Sequence, residues 1–324
     1  MTPTGVLVMA YGTADGPDDI ERYYADIRGG RPPTPEHLRE LEDRYAAIGN
    51  RFPLLDTTRE QAEGIERELN VREPQAYRAY LGMKHSPPFI PDTVARMRAD
   101  GIDRAVGIVM APHWSGMSIE TYIERVHDAV GGGPPAFTFV RSFHDDPAFV
   151  RFLAERVRRA IGEIPDGVRD STTVVFSAHS LPVRALDDGT WRCKYCRADA
   201  CATACRYDAA LGETARLVAA EAAVEDWTTA WQSAGRTEDP WWGPPIEDVI
   251  AGLGSSGKKG VVVCSAGFVA DHLEILYDLD IEARRLAEES GLAFARTEMP
   301  NAEAAFVSLL ADVVRRTLDR DAGS

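Results

Sequence analysis

Between Thr172 and Phe176, five apolar or β-favouring residues run without a break into Ser177-Ala178-His179, and Pro182 then forbids the strand to continue. A run of this kind, with no alternation of polar residues, marks a strand buried on both faces, as parallel sheets require. It places His179 at the carboxyl end of such a strand, the edge at which open α/β sheets bind their ligands.

Comparable runs recur along the chain. Gly5–Met9, Ala79–Met83, Ala105–Met110 and Ala136–Val140 supply four strands ahead of it, while Trp227–Trp231, Val261–Cys264 and Leu292–Ala295 join Thr172–Phe176 in a second set of four. Helical periodicity fills the gaps. Leu38, Leu41, Tyr45 and Ile48 recur behind Thr34 as N-cap and Pro35 in the first turn, and further helices fit 57–70, 91–100, 118–130 and 147–161. The predicted fold is α/β, with two similar doubly wound, Rossmann-like domains. Each holds a four-stranded parallel sheet flanked by helices, and a cleft lies between them. The boundaries expected are 1–145 for the N-terminal domain and 146–301 for the C-terminal one, with an amphipathic closing helix over 302–320 packing back on the first. At 324 residues the chain is long enough to give each domain its own core.

A formal net charge of −15 excludes a general nucleic-acid binder, because there is no basic field to displace counterions from phosphates. No apolar run approaches the roughly 18 residues of a spanning helix, and Met1–Gly5 carries neither a basic n-region nor an apolar h-region. A cytoplasmic protein with no integral membrane segment is expected. In that compartment the four cysteines crowded between Cys193 and Cys205 read as a metal-binding cluster rather than as disulfides.

Five of the seven histidines, His85, His113, His144, His179 and His272, lie just beyond a predicted strand. Singly each is readily a hydrogen-bonded loop residue; together they point to one carboxyl edge. Downstream, Asp271 is placed to cap a helix on which Glu274, Asp278 and Glu282 recur at i, i+4 and i+8, putting three carboxylates in one row. Like charges at that spacing repel, so the row gains nothing in stability. It is either a solvated face of an acidic protein or a path that presents oxygen ligands to a divalent cation.

Seven blocks carry a resemblance: Leu7-Val-Met-Ala-Tyr-Gly-Thr13, Asp19-Ile-Glu-Arg-Tyr-Tyr24, Asp43-Arg-Tyr-Ala-Ala-Ile-Gly49, Ala111-Pro-His113, Ser177-Ala-His-Ser-Leu-Pro182, Trp231-Gln-Ser233 and Gly267-Phe-Val-Ala-Asp-His-Leu-Glu274. In these blocks and in their order the chain resembles the ferrochelatases, lyases that insert Fe²⁺ into a porphyrin in haem biosynthesis. It looks closest to the soluble bacterial forms, which in Gram-positive lineages use coproporphyrin III. The resemblance implies a catalytic pair in His179 and Glu274, which can accept the two pyrrole protons and handle the metal. With the carboxylate row read as a cation path, Asp278 and Glu282 join the metal-handling set, and the resemblance implies porphyrin contacts at Tyr11, Arg28, Arg44, Tyr45 and Tyr122. Guanidinium groups suit the substrate's carboxylates. The substrate partners are then porphyrin and ferrous iron, with the chain acting as a monomer. One departure is Phe52, where related soluble enzymes have a small polar residue. A cobalt or nickel chelatase for another tetrapyrrole shares the fold and chemistry, and a porphyrin or haem carrier shares the pocket; an intact His179–Glu274 pair argues against the carrier.

The cysteines read Cys193-x2-Cys196-x4-Cys201-x3-Cys205, interleaved with Arg192, Lys194, Arg197 and Arg206, which favour thiolates. The spacing resembles ferredoxin-type runs, structural zinc also accepts four cysteines, and redox-active free thiols are the remaining alternative. Some bacterial ferrochelatases resembling this chain carry a [2Fe–2S] cluster on an inserted cysteine segment, which favours that cluster here. Cys264, inside a strand, reads as packing.

Overall fold

A computed structural model describes residues 2–187, 189–194, 206–235 and 237–322 of the chain. The N-terminal sheet is built from β1 (Thr4–Ala10), β2 (Tyr77–Met83), β3 (Arg104–Val109) and β4 (Ala136–Val140), in the order β2-β1-β3-β4. The C-terminal sheet has β5 (Thr172–His179), β8 (Trp227–Gln232), β9 (Gly260–Cys264) and β10 (Ala293–Arg296), in the order β10-β9-β5-β8. Every pairing within these two sheets is parallel. The two doubly wound α/β units expected from the sequence are therefore present. A short antiparallel pair that the sequence reading did not anticipate, β6 (Val183–Ala185) with β7 (Trp191–Cys193), follows Pro182. β5 also runs on through Ser177 to His179, which is thus the last residue of the strand, because Ala178 and His179 still pair with Trp231 and Gln232.

The helices connecting the N-terminal strands are α1 (Ile20–Ile27), α2 (Pro35–Ala47), α3 (Leu54–Arg72), α4 (Ile90–Ala99) and α5 (Ile119–Val130). Thr34 caps α2 by accepting from the His37 N–H, with Pro35 behind it, as its position predicts. α6 (Pro147–Glu163) leads into the second half, where α7 (Tyr207–Ala222) and α8 (Ile246–Ser255) cover the sheet; a π-helix (Glu274–Ala283) continues into α9 (Arg284–Glu289), and α10 (Ala304–Ala322) closes the chain. α10 packs on α3 and β4 of the first half and on α6. An added Cβ on Gly64 of α3 would stand 2.7 Å from Val307 Cγ1, so the missing side chain is what lets the two helices approach.

Separate cores for the two halves are not what forms. The outer face of each sheet does have its own cluster, around Leu7, Met97 and Ile123 in one and Val175, Val263 and Leu279 in the other. On the inner faces one continuous cluster runs from Val6 and Val106 through Phe149, Leu153 and Phe306 to Phe176 and Val262. α6 packs on β9 and β10, α10 on β3 and β4, and the two helices pack on each other, so their layer joins the two halves. Fully burying one Phe of this layer is worth about 1.5–3 kcal/mol.

Candidate active site

His179 reaches its position because β5 is tied to β8 and β9 on either side and the chain after β9 returns across its end. Gly267 donates its N–H to Ser177 O at 3.0 Å, and a Cβ there would lie 2.5 Å from the Ala178 Cβ. Only glycine permits that approach. Seven residues later the π-helix begins, and Glu274 Oε2 comes 3.1 Å from His179 Nδ1 and 4.0 Å from His272 Nε2. His272 donates from Nδ1 to Ala270 O at 3.0 Å, which leaves Nε2 on the carboxylate side. Phe268 walls the group, edge-on to His179 and 4.6 Å from the His272 ring.

Desolvation penalises both members of the His179–Glu274 pair, but their mutual attraction outweighs it: His179 is raised above its ordinary value, and Glu274 is brought down to about 2. Desolvation lowers His272, with the nearby carboxylate opposing. The pair is thus an imidazolium and a carboxylate at moderate pH, held next to a neutral imidazole.

The base of the π-helix is held from behind. Gln232, buried at the end of β8, donates to Glu274 O at 3.4 Å, while its Oε1 accepts from Ser177 at 2.8 Å and Ser265 at 3.0 Å. These amide and hydroxyl partners were missed in the sequence, although a glutamine ending an apolar strand was the visible signal. Asp271 does not cap the helix as expected. Its carboxylate accepts from Arg296 at 3.3 Å and Asn301 at 2.8 Å, and Leu273 stands at the N-cap with no side-chain hydrogen bond.

The opposite wall comes from the N-terminal domain. Tyr11, one residue past β1, is 43% exposed and sits 4.6 Å from the His85 ring. Desolvation first, and then the Glu274 charge, raise its phenol above the ordinary value, so it stays protonated. His85 bonds Asp26 at 2.7 Å and is nevertheless lowered to about 4, desolvation prevailing with help from Lys84 and Arg125. The Tyr122 ring is buried, with the Lys84 ammonium 4.9 Å above it. Burial lowers Lys84 to about 8.

Asp278 is buried and forms an ion pair with Arg44 of α2, and Ser233 donates to its other oxygen at 2.5 Å. Ser233 sits at φ 58, a left-handed turn that the sequence did not announce. Burial lifts Asp278 to about 7 against the pull of Arg44. Glu282 lies further along the same helix, partly exposed. Among the described residues no three His, Cys, Asp or Glu side chains form a ready-made metal cage.

Arg44 also lies over the Tyr277 ring at 4.6 Å, and Arg28, ending α1, lies 5.8 Å from Tyr24. The Nε of each is buried without a protein partner. Tyr45 is buried, its hydroxyl 3.5 Å from Thr13, and it stacks on Phe52 at 4.5 Å, so Phe52 fills space against a site tyrosine. Not all strand-end histidines gather here. His113 and His144 stand 5.4 Å apart in a separate cluster against α7, where His113 contacts Thr214 at 2.9 Å. Of the clustered cysteines only Cys193 falls among the described residues, buried at the end of β7; Cys196, Cys201 and Cys205 lie outside them. Cys264 is fully buried in β9 with its thiol pushed up to about 12 by desolvation, in keeping with packing.

Two doubly wound units with a histidine–carboxylate pair on one wall of the cleft and a tyrosine on the other define a chelatase-type protein. The fold matches a solved sirohydrochlorin chelatase, SirB from Bacillus subtilis subspecies spizizenii in complex with cobalt, at a TM-score of 0.56 and 9% identity, covering 99% of this chain and 98% of that one. The structure of SirB from Bacillus subtilis with Fe³⁺ gives a TM-score of 0.58 at the same 9% identity, with the same coverage. The sequence pattern of the ferrochelatase family matches residues 3–318, and the chain belongs to that family. It is 43% identical over 314 residues to the coproporphyrin III ferrochelatase of Geobacillus kaustophilus, covering 96% of this chain and 94% of that protein. The coproporphyrin III ferrochelatase of Bacillus subtilis strain 168 is 41% identical over 319 residues, 98% of each chain. Among the described residues no helix is long and apolar enough to cross a membrane.

Proposed function

We propose that this protein inserts Fe²⁺ into coproporphyrin III, with release of two protons, as a step of haem biosynthesis. The observation that carries the reading is the His179–Glu274 pair, 3.1 Å apart at the carboxyl end of β5. Metallation breaks two pyrrole N–H bonds as two Fe–N bonds form, so acceptors must wait at the ring centre. Glu274, kept ionised, accepts directly; His179 accepts once it has lost its own proton, and the neutral His272 behind them gives that charge an outlet. Asp278 and Glu282 extend the line of oxygen donors along which the iron reaches the pair, and Tyr11 closes the ring's other face.

The four-carboxylate substrate is supported by the names of the relatives and by the guanidinium groups of Arg28 and Arg44, which suit carboxylates, Arg44 already holding that of Asp278. Tyr45 and Tyr122, both buried, would support the N-terminal wall from behind. We take the chain to act as a monomer, and a cytoplasmic location fits the composition. The four-cysteine segment fits a [2Fe–2S] cluster by its donor set, structural zinc being the alternative. Such a group would cross-link the segment between β7 and α7, whose Tyr207 hydroxyl donates to His179 O at 3.0 Å.

Anaerobic steady-state metallation with a panel of metals and tetrapyrroles tests the reading. The highest kcat/KM is expected for Fe²⁺ with coproporphyrin III. Preference for protoporphyrin IX overturns the substrate, and turnover only with cobalt or nickel and another tetrapyrrole overturns the activity.

A further inference from the structure

The π-helix winds i→i+5 over Glu274–Ala283, whereas such winding mostly survives as single-turn bulges. Its first turn has no side-chain cap, so its own sequence offers little to hold it in that form. Something outside it must. Arg296, the last residue of β10, grips Asp280 with a two-pronged fork, Nε to Oδ1 at 2.6 Å and Nη2 to Oδ2 at 2.8 Å. The same Nη2 reaches Asp271 Oδ1 at 3.3 Å, ahead of the helix. Asp271 is pinned in turn by Asn301, which takes its backbone N–H on Oδ1 at 2.8 Å and donates to its Oδ2 at 2.8 Å. One guanidinium therefore ties a point before the helix to a point within it. Rewinding to i→i+4 would turn Asp280 around the helix axis by a large fraction of a turn and pull it off the fork.

We propose that Arg296, through Asp280 and Asp271, is the positioning device that keeps this helix in π winding and so holds Glu274 on His179. Arg296 is only 14% exposed and touches neither His179 nor Glu274; it acts through the backbone between Asp271 and Asp280. The fork is what matters, because a bidentate contact fixes direction as well as distance where an ammonium would fix distance alone. The inference rests on the reading of His179 and Glu274 as the working pair.

The test uses Arg296→Met, Arg296→Lys and the near-isosteric Asp280→Asn in the full chain. Without substrate, hydrogen–deuterium exchange of amides 274–283 should quicken in Arg296→Met and Asp280→Asn while the rest of the protein stays protected. With iron and coproporphyrin III, kcat should fall about 10- to 100-fold, the range for outer partners of metal-handling groups, at unchanged porphyrin KM. Arg296→Lys should recover only part of either effect. Unchanged exchange across 274–283 in folded Asp280→Asn overturns the proposal, as does a folded variant with full kcat or full rescue by Arg296→Lys. If Arg296→Met does not fold, Asp280→Asn decides. Should the wild type insert no metal at all, the functional reading fails while the exchange arm still judges the clamp.

Discussion

His179 and Glu274 depend on each other for their charge states, and removing either takes away both a proton acceptor and its partner's electrostatic support. His179→Ala and Glu274→Gln should each lower metallation by more than about 10²-fold with the fold intact, the usual range for a positioned acid or base. Near wild-type turnover in either purified variant contradicts the assignment. The pH profile carries a sign. His179 accepts only when neutral, so the rate rises as pH passes its raised pKa. In Glu274→Gln the main raising influence is gone, leaving desolvation opposed only by the Asp278 charge, so the acid limb of the residual rate should move to lower pH; a limb that stays in place or rises counts against the coupling. Arg28→Ala and Arg44→Ala should raise KM for coproporphyrin III more than they lower kcat. A pure kcat effect would mean that these groups do not hold the substrate's carboxylates.

Among the elements, strands were far easier to read than the turns that aim side chains. β1, β3, β4, β5 and β9 announce themselves as apolar runs because a doubly covered strand needs apolar residues on both faces. The π-helix did not, since its residues would equally suit an α-helix and its winding is held by partners distant in sequence, Gln232 and Arg296. The Asp271 cap failed for the same reason: Arg296 and Asn301 compete for its carboxylate. The cysteine segment makes its own prediction. Anaerobically purified protein should contain about two iron and two sulfide per chain, with visible absorption bleached by dithionite. One zinc and no sulfide would identify the alternative and leave the chelatase reading untouched.

At the scale of the molecule, the two sheets are joined because α6, on the C-terminal sheet, and α10, on the N-terminal one, pack on each other within one continuous cluster. Phe306→Ala, deleting a fully buried ring of that shared layer, should cost about 3–5 kcal/mol. Calorimetry should show a single transition moved to lower temperature, whereas two resolved transitions would mean that the halves unfold independently. The sequence alone determined the eight-strand α/β plan, the strand-end position of His179 and the spacing of the carboxylates, because these follow from local periodicity and chain direction. Only the tertiary structure decided which histidines meet. His179 and His272 share Glu274, His85 faces Tyr11, and His113 with His144 packs apart against α7. It also decided that Arg44 lies on Asp278 and that the inner cores merge. Those outcomes depend on how two sheets are set against each other, and the energy that sets them comes from burial between segments more than a hundred residues apart, which no local pattern encodes.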